Sequence, residues 1–360
     1  MKQLSVGIAG AGLLGRLLAW QLARCGHRVS VFDPARGAQP SFDGRQAAGF
    51  TAAGMLSPLA ELDTGSAKVA ALGWRSIALW RGIVSQLRAP PQFSTEGSLL
   101  LAHRGDVGSA QRMLARLALA AAGTPHAQAL TAAQLAALEP ALHGVAHAWL
   151  LPQEGQIDPV AALLALHAEA TGVRWHWNSP VQSVAPGLLL LQDGIPHRFG
   201  FVVDVRGTGS GPELPVRGVR GETVWLHAPG HGLTRPVRLL HPRHRVYLVP
   251  RPGDIVLVGA SEIESEDRSP VSLRSAVELM AAAHSVLPAL AEARIQRLDV
   301  NLRPALPDNE PRIDATDGLV RINGLFRHGW LIAPALVEDA LTQCGLLTRL
   351  TRHTEEFPHE

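Results

Sequence analysis

Cysteine is nearly absent from the 360-residue chain, which has only Cys25 and Cys344. Two cysteines so far apart, in no metal-ligand spacing, exclude a disulfide framework and fit a reduced, cytoplasmic setting. A bias toward one charge is also missing. The 33 Lys and Arg and 31 Asp and Glu residues are interspersed, for a formal net charge of +2. No basic block tracks a phosphate backbone, so nucleic acid is not an expected partner. No run of about 18 apolar residues free of charge occurs, so no membrane span is expected. Lys2 before an apolar run looks like the start of a signal peptide. That run is rich in glycine and continues into an amphipathic helix, so it reads as mature fold. Internal repeats and low-complexity linkers are lacking too. What is there is 46% hydrophobic, enough for a sizeable core in about two domains.

The first signal lies at the N-terminus. Residues 4–9, LSVGIA, read as a buried parallel strand, and GAGLLG places Gly10, Gly12 and Gly15 in a G-x-G-x-x-G pattern. Gly10 allows the tight turn, Gly12 the approach of a pyrophosphate, and Gly15 close packing of helix on strand. A helix over 13–24 ends at Gly26, and its first N–H groups would face the phosphates. A second strand over 27–32 leads to Asp33, placed to accept hydrogen bonds from ribose hydroxyls. The motif points to a dinucleotide and does not separate NAD from FAD. NADP is disfavoured, because Asp33 would repel a 2′-phosphate.

After Asp33 the regular βαβ pattern stops. Residues 34–58 read as a loop whose small residues, Gly49, Ala52, Ala53 and Gly54, let backbone pass close to something bulky. Helices are expected over 68–86, 107–122 and 131–138, with Thr131 as an N-cap, and another after Asp158-Pro159. From Val173 onward short strands dominate, and DVRGTGS (204–210) makes a second glycine turn. A helix is expected from near Pro270, an irregular proline-rich loop over 303–313, and a last helix with Pro334 at its first position. The final ten residues read as a frayed tail.

Several segments together resemble the FAD-dependent D-amino-acid oxidase superfamily, and within it the glycine oxidase branch linked to thiamine biosynthesis. They are GIAGAGLLG, TAAGMLSP, RGVRGE, YLVPRPGDIVLVGASEIE, LRPALPDNEPRI and LFRHGWLIAPAL, in the family's order across nearly the whole chain. The resemblance implies an α/β fold: a Rossmann-type FAD-binding domain from 1–86, 150–215 and 300–360, with an interleaved, β-rich substrate domain from 87–149 and 216–299. It selects FAD as the cofactor. Leu13, Leu14, Asp33 and Pro34 would hold the ADP half, alongside Gly10, Gly12 and Gly15. Ala48, Gly49, Ala53, Gly54 and Met55 would lie along the flavin. The Val181 backbone would meet the adenine, and Gly207 would sit close to the cofactor. Leu325, Phe326, Arg327, His328, Gly329, Trp330 and Leu331 would surround the ring, with the following helix N-terminus aimed at its N1 and O2 edge. Covalent attachment in related sarcosine oxidases uses a cysteine near the ring. Neither Cys25 nor Cys344 is so placed, so FAD is expected to be non-covalent.

Oxidation at an α-carbon needs the substrate carboxylate held so that the Cα–H faces the flavin, and the arginine fork suits that task. By resemblance, Arg327 is the main anchor, Arg303 a second positive contact, and Tyr247, the one tyrosine of the chain, a third partner. His244 stands one residue out of register with the family's histidine before that tyrosine, which leaves its role open. The family implies oxidative deamination of glycine or a similar small amine acid, with O2 as acceptor and H2O2 as product. It often forms homo-oligomers. Three other readings stand beside it: a dehydrogenase passing electrons to a quinone or other carrier, a tRNA-modifying flavin enzyme, and a flavin-binding module without catalysis. Ala305, Leu306 and Asn309 depart from the family's common LRPGTPDG loop, which bears on pocket shape.

Overall fold

The strands divide between two main sheets, and the polypeptide crosses between them repeatedly. The computed structural model describes residues 3–63, 65–120, 125–211, 213–240 and 245–347. His244 and the last ten residues lie outside these.

The first sheet is built on the buried strand Ser5–Ala9. It pairs in parallel with Arg28–Phe32 on one side and Phe201–Asp204 on the other. Arg174–His176 and Leu319–Asn323 extend the parallel set, and Arg312–Thr316 closes one edge antiparallel. The helix Leu13–Arg24 buries Leu14, Leu17, Leu18 and Leu22 in a core shared with the helices Pro159–Glu169 and Gly329–Gln343. The Pro159–Glu169 helix starts as its sequence suggests, with the Asp158 carboxylate accepting from the N–H groups of Val160 and Ala161. Thr131 and Gln134 likewise form a reciprocal capping box.

The second sheet has eight strands, in the order Arg294–Ala305, Arg217–His227, Ile255–Gly259, Arg245–Arg251, Val237–Leu240, Ser98–Ala102, His147–Leu151 and Gln128–Leu130. Strand periodicity separates its two faces. Val237, Leu239, Val246, Leu248, Val256 and Val258 join the cluster that includes Leu279 and Ala283 of the helix Leu273–His284. The alternate residues Tyr247, Val249 and Leu257 turn instead toward Ala53 and Met55 of the small-residue segment. That second face looks onto the nucleotide sheet. A three-stranded meander, Val181–Ala185, Leu188–Leu191 and Pro196–Arg198, packs beside the parallel sheet.

Four expectations change. The last helix begins at Gly329, so Pro334 lies inside it and not at its first position. A proline there cannot donate to the carbonyl of Trp330, four residues back. The indole of Trp80 donates to that carbonyl at 2.8 Å, and the Ser76 hydroxyl accepts from the Ala335 N–H at 3.1 Å. The neighbouring helix Ala67–Ser85 thus satisfies the groups the proline leaves over. The stretch 303–313 is not one loop: Arg303 to Ala305 finish a long strand and Arg312 begins another. Antiparallel pairing with Arg217–His227 carries that strand through Pro304. The helix expected near Pro270 begins at Leu273, after a Ser272 N-cap, because the Pro270 carbonyl is taken by Arg220. Finally, 34–58 contains a 3-10 turn, Ala48–Phe50, and a short strand, Met55–Leu56.

Candidate active site

Between the two sheets lies a cavity of about 1090 Å³. At one end are Gly10, Gly12, Leu13 and Leu14, with Asp33 and Pro34 at the end of the second strand. Gly10 takes φ +106°, and a Cβ on Gly15 would stand 1.9 Å from the Gly10 carbonyl oxygen. Gly15 itself is behind the turn and does not line the cavity, which agrees with a role in packing helix on strand. Asp33 accepts from the Ala11 N–H at 2.6 Å and from the Ala35 N–H at 2.8 Å. Burial pushes its carboxyl above the usual range, and those two bonds and Arg16 oppose the shift.

The small-residue segment forms one wall, with Ala48, Gly49, Ala53, Gly54 and Met55 all lining. Val181 and Gly207 line the nucleotide end. The Val181 carbonyl also accepts from Arg206 at 3.3 Å. Facing them, Leu325 through Leu331 line the cavity where the 3-10 turn Phe326–His328 runs into the last helix. The first N–H groups of that helix have no acceptor within it, and they carry the positive end of its dipole. The Trp330 indole donates to the Gly49 carbonyl at 3.1 Å, tying the helix start to the opposite wall.

The three residues expected to grip a carboxylate all line the same cavity. Their electrostatic states differ. Arg327 is paired with Glu61 at 2.9 Å and with Glu262 at 3.4 Å. Arg303 donates both terminal nitrogens to the Ser261 carbonyl at 3.1 Å and has no carboxylate partner among the described residues. Tyr247 stands over Gly259. Burial raises its pKa, and the charges of Arg303, Arg238 and Arg251 work against that rise. Its hydroxyl therefore remains a protonated donor in a positive field.

Sequence reasoning passed over several residues here. Arg16 is 1% exposed and donates to the carbonyls of Ala11, Leu163 and Ala38 beneath the glycine turn. Burial lowers its pKa to about 10. Arg251, 5% exposed, donates to the Ala53 carbonyl and to Gln156, joining the eight-stranded sheet to the small-residue wall. Glu61 and Arg238 form an ion pair at 3.1 Å inside the cavity. Alternation in the 237–240 stretch could have set Arg238 opposite Val237 and Leu239, but only the strand pairing places it across from Tyr247.

These residues suit a flavin dinucleotide. The glycine turn and Asp33 offer a site for pyrophosphate and ribose, the small-residue wall leaves room for a flat ring, and the start of the last helix lines the same space. Fold and cavity together define a dinucleotide-binding α/β oxidoreductase. The chain belongs to the DAO family, described as FAD dependent oxidoreductase, which matches residues 5–339, and FAD is its cofactor. It is 37% identical over 334 residues to a Rhizobium etli protein named as the thiamine biosynthesis oxidoreductase ThiO, covering 92% of this chain and 94% of that one. It is 27% identical to the glycine oxidase of Geobacillus kaustophilus over 97% of both chains. The crystal structure of glycine oxidase from that organism superposes with a TM-score of 0.78 at 25% identity, covering 96% of this chain and 95% of that one. The protein is an FAD-dependent oxidoreductase of the glycine oxidase and ThiO type. No helix among the described residues is long and apolar enough to cross a membrane.

Proposed function

We propose that this protein carries out oxidative deamination of glycine or a similarly small amine acid, with dioxygen as the terminal acceptor, and serves thiamine biosynthesis as its Rhizobium etli relative is named to do. The observation that carries the reading is the Arg303 guanidinium, free of any carboxylate partner among the described residues and set beside Tyr247 in the cavity of the glycine turn. A charged fork of this kind binds a small carboxylate in bidentate fashion. Arg303 and Tyr247 take the substrate carboxylate first, and Arg327 joins once it loosens from Glu61. This order reverses the ranking that resemblance implied, because an arginine already neutralised by a protein carboxylate attracts an anion less.

Bound non-covalently, FAD would supply the two-electron acceptor for the α-hydrogen. The residues holding it are, for the ADP half, Gly10, Gly12, Leu13, Leu14, Asp33 and Pro34, with Val181 and Gly207 nearby, while Gly15 supports the turn from behind by letting helix pack on strand. Ala48 to Gly49, Ala53 to Met55 and Leu325 to Leu331 hold the ring. We assign 1–86, 150–215 and 300–360 to the FAD domain and 87–149 and 216–299 to the substrate domain, except that the strand Arg294–Ala305 runs past 300 and its end stays in the eight-stranded sheet. Arg303, Tyr247 and Arg327 orient the substrate by its carboxylate, which fixes the α-carbon against the ring wall. The amine acid loses a hydride and a proton to become an imine. Water hydrolyses the imine to the 2-oxo acid and ammonia, and dioxygen takes two electrons and two protons to give H2O2.

The test is to purify the protein, record flavin absorbance, and add glycine, sarcosine or D-alanine in air. Peroxide release with glycine supports the oxidase. Flavin bleaching without peroxide identifies a dehydrogenase, and flavin that no amine acid reduces identifies a binding module.

A further inference from the structure

Glu61 is 8% exposed, yet it sits among cations within a cavity built to receive an acid. Its Oε1 is 3.1 Å from Arg238, and its Oε2 is 2.9 Å from Arg327 and 3.3 Å from His328 Nδ1. The short helix that carries it, Pro58–Glu61, is pinned from behind: Glu154 accepts from the Ala60 N–H at 2.8 Å and from the Ser98 hydroxyl. Arg238 forms no other ion pair among the described residues. It stands directly across from Tyr247 in the sheet, so both side chains leave the same face, the one toward the cavity. A protein carboxylate therefore occupies a place between two guanidinium groups that a ligand carboxylate would otherwise fill.

We propose that Glu61 is an internal counter-ion that masks Arg238 as a subsite for a second acidic group, so that the pocket prefers amine acids with one carboxylate over diacids. The inference rests on the amine-acid reading above and names the specificity of that same site. With Glu61 in place, a second ligand carboxylate meets an arginine already neutralised and a negative group 3.1 Å from it, which is a repulsive element against the wrong ligand. Without the charge on Glu61, Arg238 loses its ion-pair partner beside Tyr247 and feels only the more distant Glu154 carboxylate. Arg303 remains free for the first carboxylate.

The FAD-loaded protein is titrated with acetate, malonate and succinate, which are unreactive, and binding is read from the change in flavin absorbance. Glu61→Gln is expected to tighten malonate or succinate relative to acetate by about tenfold, roughly 1.4 kcal/mol. Adding Arg238→Met to that variant should abolish the gain. Equal tightening of all three acids would mean that Glu61 restrains only Arg327, and that result overturns the proposal. So does a gain that survives loss of Arg238. Glu61→Ala is run alongside in case the glutamine variant fails to take up FAD. Arg238→Met alone leaves the Glu61 carboxylate without that partner, so the diacid-to-acetate ratio should stay level or fall, and a rise counts against Glu61 as the repelling charge. Reduction of the wild-type flavin by glycine is followed in the same preparations with dioxygen removed. Flavin that stays oxidised argues against the amine-acid reading, whereas reduced flavin with unaltered acid preference argues against this inference alone.

Discussion

Arg303 binds a neutral carbonyl and Arg327 binds carboxylates, and that difference sets what each substitution should do. A charge-assisted bidentate hydrogen bond from Arg303 to the substrate carboxylate is worth about 1.5–3 kcal/mol. Arg303→Met should therefore lower kcat/KM for glycine by roughly 100-fold with FAD retained. Arg327→Met should lower it by about tenfold, because that guanidinium exchanges one carboxylate for another. Steady-state kinetics on flavin-normalised protein checks the order, and a larger effect at Arg327 would reverse it. A second residue reports on pH. Burial near Arg16 depresses His167 from 6.5 to about 4, with Trp175 and Trp177 packed on its ring. A base with a depressed folded pKa stabilises the fold fully above its unfolded value and loses that contribution as pH falls toward the folded one. Thermal stability should therefore decline between about pH 6.5 and 4, and His167→Gln should flatten that decline in melting curves. That Arg303, Arg327 and Tyr247 share one cavity was legible through the family resemblance of their strand and loop motifs. Glu61 was not, since an acid at the end of the PLAE stretch says nothing of the arginines that will meet it.

At the scale of elements, the last helix shows how one element completes another. Its start at Gly329 lines the cavity, but continuing through Pro334 leaves the Trp330 carbonyl without an intrahelical donor. Trp80 supplies that donor from the helix Ala67–Ser85, and its ring stacks on Trp330 at 5.4 Å between centroids. Trp80→Phe keeps most of the packing and removes the donor, so unfolding free energy should fall by about 1–3 kcal/mol. Urea titration measures this, and an unchanged midpoint would show that the carbonyl finds another partner. The sequence misplaced the helix start because proline favours the first turn on average, whereas here tertiary hydrogen bonds carry the cost of an interior one. The opposite held for Leu13–Arg24, whose bounds were readable because its turn, apolar face and Gly26 stop all lie within one short segment.

Across the whole molecule, the cavity belongs to neither sheet alone. The parallel sheet contributes the glycine turn, the eight-stranded sheet contributes Arg303, Tyr247 and Arg238, and the 48–55 and 325–331 segments close the space between them. Arg251 and Trp330 tie these segments together through the Ala53 and Gly49 carbonyls. A ligand filling such a junction stabilises both halves at once. Stripping FAD should lower stability by about 2.7 kcal/mol relative to protein held at one hundred times the dissociation constant. Calorimetry before and after flavin is restored checks it, and an unchanged transition would place the cofactor outside the cooperative fold.

The local sequence by itself determined the dinucleotide turn, the strands on either side of it and most helix bounds. Each of these depends on neighbours within a few residues, through backbone geometry and period. Only the tertiary structure decided that Arg327 is already neutralised, that Arg303 is not, and that Arg238 faces Tyr247 with Glu61 between the cations. Those facts depend on strand register and on how two sheets dock, and electrostatic pairing acts between groups far apart in the chain that folding brings within about 3 Å.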